Sequence, residues 1–213
     1  IANNNFYESD VNRIYGNLTA SYDISEGINI LLKGGINTYH EARRNNVRSG
    51  GISNPDGYVS TVDLNNSEKD FTALLSIDKT LTDNISLKGT FGFNANERKL
   101  TGRGVTGNTI ISTGLNVTNA TSTQIVDTDY TRKRRIYGYF ADLSFGYKDY
   151  LYFNLVGRND VSSTLPIGAN SYFYPGASIS LMVNELVTLP DFFDSLKLIN
   201  ASLIFFNFNK LDP

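Results

Sequence analysis

The sequence predicts an all-β chain of about eight antiparallel strands of the kind that line a transmembrane β-barrel wall. Three observations predict it: apolar and polar residues alternate over stretches as long as a tilted spanning strand, short connections alternate with long ones, and the composition favours strands and turns. Thirteen Tyr and thirteen Phe supply all the aromatic residues, alongside eighteen Gly. Aromatic residues favour pleated surfaces, and Gly, Asn and Ser favour the turns between them.

The first strand places Ile14, Gly16, Leu18, Ala20, Tyr22 and Ile24 on one face and Tyr15, Asn17, Thr19, Ser21 and Asp23 on the other. After Ser25-Glu26-Gly27 the pattern restarts, with Ile28, Ile30, Leu32, Gly34 and Ile36 against Asn29, Lys33, Asn37 and Glu41. Leu31 breaks it. A third strand carries Phe71, Ala73, Leu75 and Ile77, and the turn Thr82-Asp83-Asn84 leads into a fourth with Ile85, Leu87, Gly89, Phe91, Phe93 and Ala95. Lys88, Asn94 and Asn96 face the other way. Tyr137, Tyr139, Ala141, Leu143, Phe145 and Tyr147 make a fifth apolar face, and Leu151, Phe153, Leu155 and Gly157 a sixth, with Asn154 and Arg158 opposite. A seventh strand is expected near Phe173–Val183 and an eighth near Leu196–Phe206, the last too uniformly apolar for its facing to be read.

The turns near Ser25, Asp83 and Lys148 are tight, whereas 42–69 and 98–131 are expected to be long polar loops. Outer-membrane barrels place short turns in the periplasm and long loops outside. The first strand is then expected to run inward. Tyr22, Tyr39, Tyr137, Tyr147, Tyr150 and Tyr172 are expected near strand ends, where interfacial girdles form. A soluble β-sandwich is the alternative source of such aromatics. Residues 184–195 are expected to form a structured connection.

Net charge is −2, which gives no global attraction to nucleic acid. No cysteine is present, so thiolate chemistry and disulfides are excluded. His40 lacks the second histidine that a zinc site needs and is expected to be structural or interfacial. Gly102-Arg103-Gly104-Val105-Thr106-Gly107 matches a dinucleotide fingerprint literally, but it lacks the strand–helix setting; a loop with positive-φ glycines is expected instead. Asp127 and Asp129 share a face without the further oxygen ligands that calcium requires, so a solvated loop is expected there. Arg132-Lys133-Arg134-Arg135 is the one concentrated basic run, expected at the outer end of the fifth strand. Lys133 and Arg135 point opposite to Arg132 and Arg134, so one pair would meet lipopolysaccharide phosphates and the other a loop, lumen or substrate. Asn37, Lys88, Asn94, Asn96, Asn154 and Arg158 are the candidate lumen- and substrate-facing residues, where amides and charge suit sugars or peptides. No catalytic role and no cofactor are expected.

The stretch from Arg134 through Tyr137-Gly138-Tyr139 to Tyr147-Lys148-Asp149 resembles barrel strands of the SusC/RagA family of TonB-dependent outer-membrane transporters. Gly157-Arg158-Asn159-Asp160-Val161-Ser162-Ser163 looks like that family's Gly-Arg-x-Asp-Gly-Ser-Ser strand end, with Val161 in place of glycine. Tyr172-Phe173-Tyr174-Pro175-Gly176-Ala177-Ser178 resembles its Tyr-Phe-Pro-Ser strand start, with Tyr174 additional. The close match covers residues 132–184; the segment 199–213 departs from the family pattern and lacks its glycines. The resemblance implies a bacterial outer-membrane location and a 22-stranded barrel closed by a plug domain. It also implies energy from the TonB complex, a SusD-like surface lipoprotein as partner, and glycans or peptides as cargo. Residues 1–213 are then expected to be part of such a barrel, with no plug in this chain. The opening Ile1-Ala2-Asn3, without methionine, fits a processed or excised segment. Two alternatives stay open: a complete eight-stranded barrel acting as adhesin or anchor, and a soluble β-rich glycan-binding module.

Overall fold

The computed structural model describes residues 5–112, 114–148 and 150–182, and the backbone of 200–206. Residues 184–195, and the rest of 199–213, lie outside the described residues. The chain is all-β. Its strands are β1 (Phe6–Ser25), β2 (Ile28–Val47), β3 (Tyr58–Thr82), β4 (Ile85–Ile110), β5 (Thr121–Tyr147), β6 (Leu151–Ser162), β7 (Ser171–Met182) and β8 (Asn200–Phe206). They form one eight-stranded sheet in chain order. A closed eight-stranded barrel needs β8 beside β1; here the two stand at opposite ends of the order.

The connections follow from local chemistry. Glu26-Gly27 joins β1 to β2, and Gly27 has φ +69°, a left-handed backbone that glycine adopts without strain. A Cβ there would also meet the Asp78 carbonyl, because Asp78 N–H donates to the Gly27 oxygen at 2.7 Å. Asp83-Asn84 joins β3 to β4. Longer links lie at 48–57, 111–120 and 163–170, the second ending in a 3₁₀ turn, Thr118–Ala120.

The expected loops 42–69 and 98–131 are therefore largely strand. β3 and β4 are 25 and 26 residues long, and β5 is 27. In Tyr58–Lys69 and Arg98–Asn108 both faces are polar, so hydrophobic periodicity is silent although the backbone ladder is intact. Gly102, Gly104 and Gly107 consequently sit in a strand, and none has positive φ. Their bare faces receive cross-strand side chains: a Cβ on Gly102 would lie 2.7 Å from the Tyr130 ring, and one on Gly104 would lie 2.8 Å from Val62 Cγ2. The basic run Arg132–Arg135 is mid-strand rather than at a strand end, because β5 starts at Thr121. Tyr39 and Tyr137 are likewise interior to β2 and β5.

Two compact units share these strands. The first comprises 1–17, 35–69 and 97–134, and its buried residues include Val59, Leu64 and Ala120 beside Asn46, Asn66 and Thr121. The second comprises 18–34, 70–96 and 135–213. Its only buried residues, among those described, are Gly89, Gly138 and Gly146. Among its described residues there is no side-chain core, and large apolar residues stand outward, Leu18 at 79% exposure and Tyr139 at 56%.

Register preserves the faces. Leu143 lies opposite Leu155, and Ala141 opposite Gly157. Leu155 lies opposite Ala177, and Ile179 opposite Leu203. On the other face Ser144 meets Asn154, which meets Ser178.

Gly92 is a packing requirement: a Cβ there would occupy the Phe140 ring. Gly92→Val is expected to lower stability by about 1–3 kcal/mol, the usual cost of overpacking, and Phe140→Ala in the same chain to recover part of it. Urea unfolding of the full-length protein in lipid vesicles measures this. Equal losses in both backgrounds would show that the ring is not the obstacle.

Candidate substrate-facing site

The candidate residues lie on the polar faces of their strands, and a cross-strand or same-strand neighbour engages each of them. In the first unit Arg13 Nε donates to Asn37 Oδ1 at 2.9 Å. Ser9 and Arg43 both donate to Glu41, at 2.8 and 2.6 Å. The hydrogen bonds from Arg43 first and Ser9 second hold the Glu41 carboxyl below its ordinary range. His40 Nδ1 is 3.0 Å from Asn65 Oδ1, and Nε2 is 3.7 Å from Asp63. No group of three metal-ligating side chains occurs among the described residues.

In the second unit Lys88 pairs with Asp78 at 3.1 Å. Asn94 donates to Thr72 Oγ1 at 3.0 Å and Asn96 to Asp70 at 2.7 Å. Asn154 donates to Ser178 at 3.2 Å. These contacts arise because residues opposed across a ladder share a face and stand close together.

Arg158 has the most elaborate setting. Its Nε donates to both Asp160 oxygens, at 3.0 and 2.9 Å, and Nη2 to Oδ1 at 2.8 Å. Its guanidinium carbon lies 5.5 Å from the Phe140 ring centre, a cation–π distance. Gly138, opposite Asp160, leaves the room: a Cβ there would be 2.6 Å from Arg158 Nη2. Tyr174 lies opposite Arg158 on β7. A groove of about 400 Å³ runs here, lined by Phe140, Asp142, Val156, Arg158 and Tyr174. Its guanidinium and phenol can donate hydrogen bonds, and its rings can stack.

Sequence reasoning singled out Arg158 but missed Asp160, Phe140 and Tyr174. Asp160 had a readable signal, since residues two apart on a strand share a face. Phe140 is an apolar side chain on a polar face, and only the glycines at 92 and 138 betray it.

The basic run is divided as alternation requires. Lys133 pairs with Glu97 at 3.1 Å, whereas the Arg132 guanidinium lies 4.9 Å from the Tyr130 ring centre. Asp127, expected in a loop, sits in β5 and accepts from Thr106 Oγ1 at 2.6 Å.

The apolar face of the second unit carries a larger hollow, about 810 Å³, floored by Ala73, Ala141 and Gly157 and walled by Phe91, Tyr139 and Phe173. It offers almost no polar contact. Phe93 stacks near Tyr139 and Tyr137, with ring centres 5.0 and 6.5 Å away, and Phe71 is 6.3 Å from Phe93. At the turn end, Tyr147 meets Tyr150 edge-on at 5.8 Å.

Solved transporter structures share this two-faced antiparallel meander. The chain is similar to the RagAB peptide transporter, with a TM-score of 0.77 and 15% identity, over 89% of this chain and 22% of that one. It is similar to the RagAB peptide importer in its "closed-closed" state, with a TM-score of 0.76 and 15% identity, over 88% and 21%. The "open-open" state gives 0.73 and 14%, over 89% and 22%. The chain thus spans about a fifth of the length of those it matches. No family model matches the chain. No curated protein matches it either.

The Arg158–Asp160 pair is better shielded than the Lys88–Asp78 pair, with 42% and 28% side-chain exposure against 67% and 64%. Double-mutant cycles to alanine, read by urea unfolding, are expected to couple Arg158 and Asp160 by roughly 1 kcal/mol or less, and Lys88 and Asp78 by about zero. A larger coupling for Lys88–Asp78 contradicts this ordering.

Proposed function

We propose that the chain is part of the barrel wall of a SusC-like, TonB-dependent outer-membrane importer. Such an importer takes up peptides or oligosaccharides beneath a SusD-like surface lipoprotein, and this part of it does no catalysis. One observation carries the membrane reading: the apolar face of the second unit is bounded by two aromatic clusters at membrane spacing. From Tyr137 to Tyr147 the strand covers about 34 Å at ~3.4 Å per residue. Tilted by ~40–45°, this is ~25 Å tall, the height of an outer-membrane apolar band flanked by aromatic girdles. A face of exposed Leu, Ile and Phe without a side-chain core is stable where the solvent is lipid.

The opposite face then lines the lumen, with Arg158, Asp160, Phe140 and Tyr174 offering donors and rings to passing cargo. Tight turns at Glu26-Gly27, Asp83-Asn84 and Lys148–Tyr150 fall on the periplasmic side, and the 48–57, 111–120 and 163–170 links on the outer side. The fold shared with RagAB supports import, and the peptide cargo named for those proteins favours peptides here.

Burying charge in lipid separates the two faces. In the full-length protein folded into vesicles, Leu155→Arg is expected to cost about 2–4 kcal/mol and Asn154→Arg below about 1 kcal/mol. Equal costs would sink the membrane reading. For transport, cells that express the full-length protein are expected to accumulate fluorescent oligopeptides only while the proton-motive force is intact. Uptake of labelled oligosaccharides alone transfers the reading to glycans, and uptake of neither refutes import.

A further inference from the structure

β5 is the longest strand, yet β6 pairs with only part of it, from Ile136 opposite Ser162 to Tyr147 opposite Leu151. The last link is Ser163 N–H donating to the Arg135 carbonyl at 2.9 Å. Among the described residues, no backbone pairs with the β6 side of Thr121–Arg134. Both neighbours of β5 in the sheet are present, and among the described residues the edge is left open because β6 is only 12 residues long.

The edge is held in strand form from its other side. Thr106 Oγ1 donates to Asp127, the Tyr130 ring lies over Gly102, and Lys133 pairs with Glu97. Arg135 uses both its N–H and its carbonyl toward Ser163. Strand alternation therefore aims the N–H and C=O of Lys133, Thr131 and Asp129 the same way. Exposed edges are normally blunted by proline, lysine or a bulge. Thr121–Arg134 has no proline, its one lysine, Lys133, is paired with Glu97, and Thr121–Thr131 is rich in β-branched residues, with Ile125 and Val126 at 50% and 68% exposure. The hydrogen bonds such an edge lacks are those another extended backbone supplies.

We infer that Thr121–Arg134 is a docking edge for an extended segment of a second protein, neutral along Thr121–Val126 and acidic beside Arg132 and Arg134. Charge selects this chemistry. Asp127 and Asp129 lie toward the middle of the edge and Glu97 offsets Lys133, whereas Arg132 keeps its charge against the Tyr130 ring, so the cationic end is at Arg132 and Arg134. The inference stands apart from transport, since strand addition needs neither a lumen nor cargo.

The test uses the full-length protein in detergent and the synthetic peptide Glu-Val-Glu-Thr-Val-Thr-Val-Thr-Val, whose N-terminal glutamates meet Arg134 and Arg132 in antiparallel pairing, with a second peptide N-methylated at alternate amides. The unmodified peptide is expected to bind and to slow hydrogen exchange at Asp129, Thr131 and Lys133. N-methylation is expected to weaken binding at least tenfold, as is Thr131→Pro, and Arg132→Ala with Arg134→Ala severalfold. The methylated peptide tests backbone pairing even if the proline variant fails to fold. Equal binding of the two peptides, or protection that falls elsewhere, overturns the inference. So does slow exchange of these amides in the protein alone, which would mean that its own chain covers the edge. A dimer that excludes the peptide overturns it in favour of a second copy.

Discussion

Backbone hydrogen bonding between neighbouring strands is the interaction on which the rest of this structure depends. The described part of the second unit buries only glycines, so no packed side-chain interior among those residues holds the strands in place. What fixes them is the ladder, which in apolar surroundings must satisfy every N–H and C=O by pairing with the next strand. The ladder fixes register, and register fixes which side chains meet. Asn154 reaches Ser178 because their backbones are partners, and Leu155 sits by Ala177 for the same reason.

Glycine governs how large groups fit onto this frame. Phe140 lies on the polar face because Gly92 yields its space, and Arg158 lies flat beside Phe140 because Gly138 yields its own. The resulting cluster combines charge, a ring and a neighbouring phenol within one groove. In the first unit the same device recurs, with the Tyr130 ring over Gly102. The glycines that appear in motif form in the sequence are thus seats for side chains rather than turns or phosphate cradles.

The strands were legible where their two faces differ. Ile14 to Ile24 and Ile85 to Asn96 alternate cleanly, and the structure places β1 and β4 over them. Legibility failed where both faces are polar, as in Tyr58–Lys69, because a backbone ladder needs no contrast between faces. Gly, Asn, Ser and Thr also compose both turns and polar strands, so the segments 98–110 and 121–131 read as loop. Of the candidate site, Arg158 was visible through its motif. Its surroundings were not, because Phe140 and Tyr174 come from other strands, and only register brings them near.

The meander order has a further consequence. Each strand described here pairs only with its neighbours in sequence, and the short turns return the chain within two or three residues. Contacts in the ladder are therefore local, which favours zippering one hairpin at a time. The same locality makes the hairpin a unit of evolutionary exchange. A pair of strands can be duplicated, lost or lengthened without rethreading its neighbours, so a family built this way can vary its external loops while each remaining ladder keeps its register.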